Sequence, residues 1–236
     1  MLVVRNLFLS FFLFLTWQWR ETDLVVFHEG NVTPGDQSML TRLSPLPLIF
    51  RDISAVFKPL PDQELPENGD SLGYSLMCRF QYMDVWPMLA KYEKVMRVDE
   101  DVILLSAPKF KTKSVFLTGL QTSEAHVRTN QTLPALLEEL GISKGYDQKF
   151  PYTNVFISDT AFWLREEVRY LAEAIGQSKT ALSNRWGDLP VLGVILKHFG
   201  YWPKGGGPVS TQFAYLHYSH LTLVIFAREL KILSTK

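Results

Sequence analysis

Apolar residues occur in short runs that are separated by polar or glycine- and proline-containing segments along most of this chain. Short apolar runs bounded by such segments are typical of strands buried inside a sheet. The sequence therefore predicts strands at five places: Leu24–Phe27, Leu48–Phe50, Ser54–Phe57, Val102–Leu105 and Ser114–Leu117.

Three longer segments carry apolar residues at helical spacing instead. Tyr74 to Leu89 predicts a helix that Pro87 disturbs, and Phe162 to Ile175 predicts a second amphipathic helix. Leu133 to Leu140 predicts a helix that begins beside Pro134 and ends at Gly141. Strands alternating with helices predict an α/β layered fold.

The first twenty residues have two interpretations. Leu7 to Trp19 is almost continuously apolar between Arg5 and Arg20, but it is shorter than the roughly 20 residues of a spanning helix. It suits a short signal-anchor, or a buried helix between strands Leu2–Val4 and Leu24–Phe27. We therefore expect an anchor or a first strand-helix unit over residues 1–20, and one domain over residues 21–236.

Composition excludes some classes of partner. The 236 residues include 24 Lys and Arg against 24 Asp and Glu, so no global field favours nucleic acid. Cys78 is the single cysteine, which excludes an internal disulfide. Partners must therefore be recognised at a local site.

Asp99 and Asp101 are the first candidates for such a site. They are two residues apart just after the apolar-leaning segment Tyr92–Met96, and residues at i and i+2 of a strand share one side. A hard divalent cation takes oxygen ligands and bridges to diphosphates, as in nucleotide-sugar glycosyltransferases. An acidic triplet is also found in solvated turns and helix caps, so this motif alone leaves both interpretations open.

Four segments together resemble one enzyme family, the glycosyltransferase family 15 alpha-1,2-mannosyltransferases of the fungal Golgi, or a distant algal or protist relative of it. The resemblance covers about Asp23 to His217, and its most specific elements are MCRF and RWGDxPV. The segments are Tyr74–Phe80 (YSLMCRF), Lys91–Val102 (KYEKVMRVDEDV), Tyr152–Trp163 (YTNVFISDTAFW) and Asn184–Val191 (NRWGDLPV).

This resemblance implies a GT-A fold, a GDP-mannose donor, a Mn²⁺ (or Mg²⁺) ion and transfer with retention at the anomeric carbon. Asp99 takes the place of the family's metal-binding glutamate, and Asp101 that of its aspartate. His217, in Ala214–His217, matches the family's histidine ligand. Mn²⁺ accepts both imidazole nitrogen and carboxylate oxygen. His217 at the end of a strand, or simply exposed, is the alternative.

The resemblance also implies roles for other residues. Tyr74 matches a tyrosine near the acceptor hydroxyl, and Asp188 is placed to orient the donor sugar. Asp159 matches the family's aspartate and is a third candidate for the catalytic site. Arg79 and Arg185 are expected to contact the donor diphosphate, and Arg97 and Asp99 are further candidates for binding the nucleotide-sugar donor. The alternatives are packing for Tyr74, helix capping for Asp188, and buried ion pairs for Arg79 or Arg185.

Three places depart from the family pattern, and one of them is Val95–Val98 (VMRV), which replaces an aromatic-rich YWRV. Phe156 stands where the family has a glutamate proposed as a nucleophile, and Leu192 stands where it has a histidine. Retention can then proceed by front-face attack, a route that needs no nucleophile from the protein, because the leaving phosphate takes the acceptor proton and the protein supplies electrostatic positioning. These changes suggest a distant relative with a different donor or acceptor.

The sequence thus predicts a metal-dependent hexosyltransferase of the Golgi or endoplasmic reticulum lumen, acting on a glycan or glycoprotein hydroxyl. We expect no nucleic-acid partner. A noncatalytic nucleotide-sugar or carbohydrate-binding relative of the same fold is the main alternative, and a divalent-dependent hydrolase is another. If residues 1–20 are an anchor, the fold would lack its first strand and the domain would be truncated at its N-terminus.

Overall fold

The computed structural model of this chain describes residues 22–44, 46–67, 72–99, 102–104, 116–117, 120–122, 127–142, 146, 149–151, 155–201 and 215–217. The chain divides into two compact units. The first contains residues 1–55, 98–112 and 210–236, and the second contains residues 56–97 and 113–209.

The first unit contains a βαβ element. Strand β1 (Leu24–His28) pairs in parallel with β2 (Leu48–Asp52), and helix α1 (Pro34–Leu43) connects them. Thr33 and Asp36 form a capping box at the start of α1, where Pro34 favours the helical φ. The register sets His28 opposite Asp52, so both strands end at the same sheet edge.

A second pair of strands in this unit joins distant parts of the chain. Strand β4 (Val102–Leu104) pairs antiparallel with β9 (Tyr215–His217). The register sets Val102 opposite His217 and Leu104 opposite Tyr215.

The second unit mixes short strands with helices. Its sheets have the orders β3-β8-β5 and β6-β7, and the pairs β5–β8 and β6–β7 are antiparallel. The strands are β3 (Lys94–Val98), which ends at the boundary between the units, β5 (Phe116–Leu117), β6 (Leu120–Thr122), β7 (Lys149–Pro151) and β8 (Val155–Asp159). The helices are α2 (Leu72–Arg79), α3 (Val85–Met88), α4 (Val127–Glu139), α5 (Thr160–Trp163), α6 (Glu166–Gly176) and α7 (Asp188–His198).

Helix α7 and an aromatic cluster form the core of this unit. Every residue of α7 from Pro190 to Leu196 is buried, as expected for a helix that is apolar all round. Trp86 stacks on Trp163 with ring centroids 4.7 Å apart, and Phe156 meets both rings edge-on. The core therefore ties α3, α5 and β8 together through apolar contact.

Several predicted elements are confirmed, among them β1, β2, β4 and, in part, β5. The prediction of a strand over Ser54–Phe57 is wrong, because Asp52 Oδ1 accepts the Ser54 N–H at 2.8 Å and turns the chain. Residues 58–67 form a proline-rich loop without helix or strand.

The predicted helices exist with different boundaries. The segment from Tyr74 to Leu89 is helical but contains a π-helical stretch, Phe80–Asp84, between α2 and α3. Helix α4 begins six residues before Leu133 and carries Pro134 inside it. The predicted helix from Phe162 to Ile175 is two helices, because Arg165 has extended backbone (ψ 137°) between α5 and α6.

Within the ranges given above, no helix combines the length and apolar character needed to cross a bilayer. The predicted anchor or strand-helix unit at residues 1–20 lies outside those ranges.

Gly176 provides a test of the packing between α6 and the π-helical segment. A Cβ at this position would lie 2.6 Å from Met83 Sδ and 3.2 Å from the buried ring of Tyr82. We expect Gly176→Ala to lower the free energy of unfolding by about 1–3 kcal/mol, measured by urea denaturation. Gly73→Ala is the matched control, because nothing lies within 4 Å of its Cβ in α2.

In the control, replacing a helical glycine should leave stability unchanged or raise it by up to about 1 kcal/mol. Equal effects of the two substitutions would contradict the close packing at Gly176.

Candidate functional site

The carboxylate of Asp188 is the centre of a buried polar cluster in the second unit. Asp188 is the first residue of α7 and only 2% exposed. Its Oδ2 accepts a hydrogen bond from Arg97 on β3, and its Oδ1 lies 3.7 Å from the Cys78 Sγ on α2. Three elements thus converge on one carboxylate, which also benefits from the positive end of the α7 dipole.

Cys78 and Tyr74 continue this cluster towards the surface. They are four residues apart on α2 and therefore share one face of the helix. Burial, together with the nearby Asp188 carboxylate, raises the pKa of the Cys78 thiol. The proximity of Cys78, together with burial and Asp188, raises the pKa of Tyr74. Both groups therefore keep their protons at neutral pH.

Arg185 covers Tyr74 from outside. Its guanidinium lies 5.5 Å from the centre of the Tyr74 ring, within the range of a cation–π contact. Arg185 has φ 53°, and the turn is held by backbone hydrogen bonds from Arg185 to Leu182 and from Trp186 to Ala181. Among the described residues, its guanidinium makes no hydrogen bond or salt bridge. Arg185 therefore presents free donors at a fixed place.

Arg79 has a different environment from Arg185. It is 2% exposed, and its Nη1 donates to Gln63 Oε1 at 2.8 Å. Its Nη2 donates to the carbonyls of Val56 and Lys58 at 2.8 and 2.7 Å, and its Nε lies 3.9 Å from Asp84 Oδ2. This is the buried ion pair that the sequence left open as an alternative. The diphosphate contact of Arg79 stays a prediction.

Asp159 forms an ion pair with Lys94. Lys94 is the first residue of β3, whereas Asp99 follows the last, so Asp159 and Asp99 flank opposite ends of this strand. Both side chains of the ion pair are about a quarter exposed, with 26% for Lys94 and 27% for Asp159. The catalytic role of Asp159 stays a prediction, and the structure does not bring it to the Asp188 cluster.

The predicted metal ligands belong to the first unit. Asp99 is half-buried after β3, Asp101 lies outside the described residues, and His217 ends β9. The backbone register brings His217 opposite Val102, which follows Asp101 in the sequence. Opposed residues of an antiparallel pair have Cα atoms about 4.5–5.5 Å apart. The described residues contain no cluster of three metal-binding side chains.

The geometry of the RWGD segment decides one alternative that the sequence leaves open, the capping of a helix by Asp188. The left-handed backbone is at Arg185, whereas Gly187 has φ −69° and is the N-cap of α7. Asp188 does not cap the helix, because it is the first helical residue and its carboxylate binds Arg97.

Sequence reasoning missed Cys78 and Gln63. The sequence indicates Cys78 only as the single cysteine and as part of the MCRF element, although its spacing of four from Tyr74 places both residues on one face of a helix. Gln63 is buried in the proline-rich loop, where its amide donates to the Gly176 and Ser178 carbonyls at 2.8 and 3.2 Å. No pattern in the sequence distinguishes Gln63 from other loop residues.

We expect Asp188→Ala to lower the free energy of unfolding by about 3 kcal/mol, because Arg97 would lose its carboxylate in a largely buried setting. Asp159→Ala is the control, since its pair with Lys94 is more exposed and should contribute below about 1 kcal/mol. Chemical denaturation of both variants measures the difference. A cost for Asp188→Ala no larger than for Asp159→Ala would contradict the central place of Asp188.

The sequence and the fold were compared with those of known proteins. A scan against protein-family models finds no match, and a search of curated proteins finds no significant sequence match. Solved structures do match. Core-mannan synthase A (CmsA/Ktr4) from Aspergillus fumigatus, in its Mn/GDP form, has a TM-score of 0.61 and 15% identity, covering 83% of this chain and 66% of that one.

The mannosyltransferase Ktr4p from S. cerevisiae matches in two structures. In complex with GDP it has a TM-score of 0.65 and 15% identity, covering 82% of this chain and 62% of that one. A second structure has a TM-score of 0.63 and 16% identity, covering 82% and 61%. This chain thus spans between 61% and 66% of the length of these neighbours.

TM-scores of 0.61–0.65 establish the fold, and at identities of 15–16% these matches establish the fold alone. The sequence resemblance is confirmed at that level, because the structural neighbours are fungal mannosyltransferases. The chain has a mixed α/β fold of the GT-A glycosyltransferase type.

Proposed function

We propose that this protein is a metal-dependent glycosyltransferase that moves a hexose, mannose from GDP-mannose, onto a glycan hydroxyl with retention. The observation that carries the proposal is the pairing of β4 with β9. It sets His217 opposite Val102, the residue that follows the acidic segment in the sequence, although more than a hundred residues separate these two positions along the chain. The neighbours that contain GDP, one of them with Mn, support the choice of donor and ion.

The residues near this pairing fit a Mn²⁺ ion by their chemistry. Asp99 and Asp101 supply oxygen ligands, and His217 supplies nitrogen, a combination that Mn²⁺ accepts. A bound divalent ion would neutralise the charge that develops on the departing diphosphate. Asp99, Asp101 and His217 would hold it.

The proposal assigns the sugar-binding roles to residues of the second unit. Arg185, whose guanidinium has no hydrogen-bond partner among the described residues, suits the donor diphosphate, whereas Arg97 is bound to Asp188. Tyr74 is 42% exposed and suits an acceptor hydroxyl. Asp188, held by Arg97 and Cys78, orients the donor hydroxyls. Arg79 supports this region through its contacts with the loop from Val56 to Gln63.

Retention proceeds here by front-face attack, without a nucleophile from the protein. The acceptor oxygen forms a bond to the anomeric carbon on the side from which the phosphate oxygen departs. That phosphate oxygen takes the acceptor proton. The proposal is supported by Phe156, which is 1% exposed and packs against Trp86 and Trp163 where the family has a glutamate.

We further propose that transfer takes place in the lumen of the Golgi or endoplasmic reticulum, on a glycan or glycoprotein. The apolar segment Leu7–Trp19 would serve as the membrane anchor.

Transfer by the purified protein tests this function. Nucleotide sugars including GDP-mannose, GDP-fucose and UDP-glucose are each offered with methyl α-mannoside, in Mn²⁺, in Mg²⁺ and in EDTA. We expect transfer from GDP-mannose that EDTA abolishes and Mn²⁺ restores, with an α-linked product by NMR. Asp99→Asn, Asp101→Asn and His217→Gln should each lower kcat/KM by about a hundredfold, since a metal contributes several kcal/mol.

His198→Gln is the matched control for His217→Gln, because His198 is exposed at the end of α7. It should retain the activity of the unaltered protein. Metal-independent transfer would contradict the role of the ion, and release of free mannose despite excess acceptor would identify a hydrolase.

A noncatalytic nucleotide-sugar-binding role is the second candidate, and the burial of Phe156 favours it. In that case GDP with Mn²⁺ would raise the melting temperature, because a ligand of the folded state stabilises it by about 2.7 kcal/mol at a hundred times its Kd. No sugar would be transferred from any donor. We expect stabilisation together with transfer, and stabilisation alone would replace the enzyme by the binding protein.

A further inference from the structure

Arg185 has a backbone conformation that its surroundings must impose. Among the described residues it is the one non-glycine residue with a positive φ, at 53°. A residue with a Cβ adopts this left-handed conformation at a cost in free energy, and it persists only where neighbouring contacts hold it. The contacts of the turn around Arg185 therefore show what keeps its side chain in place.

The next residue, Trp186, is anchored to a helix that is distant in sequence. Its indole is 2% exposed, and its Nε1 donates a hydrogen bond to Thr132 Oγ1 on α4 at 2.8 Å. Its backbone N–H donates to the Ala181 carbonyl at 3.2 Å, and that of Arg185 donates to the Leu182 carbonyl at 3.0 Å. The turn is thus closed by its own backbone and tied to α4 by a side-chain hydrogen bond.

The same turn contacts α2 through Arg185. The guanidinium lies 5.5 Å from the centre of the Tyr74 ring. Because Arg185 and Trp186 are consecutive, a movement of the indole changes the backbone at Arg185 and with it the direction of the guanidinium. Without the hydrogen bond to α4, the backbone at Arg185 could relax to an ordinary helical or extended conformation.

We propose that Thr132 is a positioning residue that, through Trp186, holds Arg185 over Tyr74 with its N–H donors directed at the donor diphosphate. This inference rests on the proposed function, in which Arg185 contacts that diphosphate. A planar guanidinium can lie over an aromatic ring and still donate hydrogen bonds from its edge. The ligand class is a nucleoside diphosphate, whose phosphate oxygens are recognised by such charged donors. Thr132 acts through Trp186 and does not touch the donor.

Thr132→Val and Thr132→Ser separate this role from packing. Valine has nearly the shape of threonine but cannot accept a hydrogen bond, whereas serine keeps the hydroxyl. With GDP and Mn²⁺ as the probe, we expect Thr132→Val to raise the GDP Kd about fivefold to tenfold in calorimetric titration, the worth of one hydrogen bond. Thr132→Ser should stay within about twofold of the unaltered protein. In transfer assays, Thr132→Val should raise the KM for GDP-mannose and leave the KM for methyl α-mannoside unchanged.

A double-mutant cycle tests whether Thr132 works through Arg185. Arg185→Ala should itself raise the GDP Kd, and adding Thr132→Val to it should have no further effect. Multiplied effects would overturn the proposal. Leu137→Val is the packing control on α4, because Leu137 is 2% exposed. It should lower the melting temperature and leave the GDP Kd unchanged, and a rise in Kd equal to that of Thr132→Val would also overturn the proposal.

A spectroscopic measurement keeps this inference separate from the proposed function. The NMR resonance of the Arg185 Nε–H is assigned by its loss in Arg185→Lys, and the ring current of Tyr74 should shift it. If Thr132 holds Arg185, this shift is lost in Thr132→Val and retained in Thr132→Ser. An unmoved resonance in Thr132→Val would overturn the positioning role, and a lost shift with an unchanged GDP Kd would overturn its link to the donor. If the protein binds no GDP and transfers no sugar, the proposed function fails while this measurement still decides whether Thr132 positions Arg185.

Discussion

The ion pair between Asp188 and Arg97 is the interaction on which the second unit depends. A carboxylate that is 2% exposed is costly unless hydrogen bonds and an opposite charge compensate for its lost hydration. Here the compensation comes from β3, from Cys78 on α2 and from the start of α7. None of these elements can move far without leaving a buried charge unpaired. The pair therefore fixes the position of β3 through Arg97. Asp99 follows Val98, the last residue of this strand.

Arg79, next to Cys78 on α2, is a second buried charge whose lost hydration is compensated by hydrogen bonds. Its guanidinium donates hydrogen bonds to the backbone carbonyls of Val56 and Lys58. These carbonyls are therefore paired with an arginine side chain and not with a neighbouring strand. Gln63 links the same arginine to the end of α6. These hydrogen bonds hold the proline-rich loop against the rest of the second unit, although the loop has no regular secondary structure.

These contacts explain which parts of the fold could be predicted from the sequence. Strands β1 and β2 are continuous apolar runs with polar ends, and local pattern alone identifies them. The segment Ser54–Phe57 has the same local pattern, but a turn at Asp52 and the distant Arg79 decide its conformation. Pattern reasoning fails there because an apolar pattern records neither the side-chain turn at Asp52 nor Arg79, which is far away in sequence.

In the candidate site, too, some residues can be predicted from the sequence, whereas the environment of others depends on distant partners. The family resemblance identifies Tyr74, Asp188 and Arg185, but Arg79 and Arg185 are equivalent in sequence terms. Only the fold shows that Arg79 is enclosed in the core, whereas the Arg185 guanidinium lies over the Tyr74 ring without a hydrogen bond to any other described residue. The meeting of β4 with β9 is likewise a long-range pairing that no local pattern contains.

The aromatic cluster around Phe156 limits the chemistry that this fold can perform. A carboxylate at position 156 would lie against the rings of Trp86 and Trp163, where an unpaired buried charge costs several kcal/mol. A glutamate at position 156 is therefore incompatible with this apolar packing, and in this chain Phe156 completes the aromatic cluster. On the proposed function, the rate must come from groups that hold the donor and the acceptor in position. The buried pair of Asp188 and Arg97, with the Cys78 thiol beside it, is a part of the second unit that can provide such positioning.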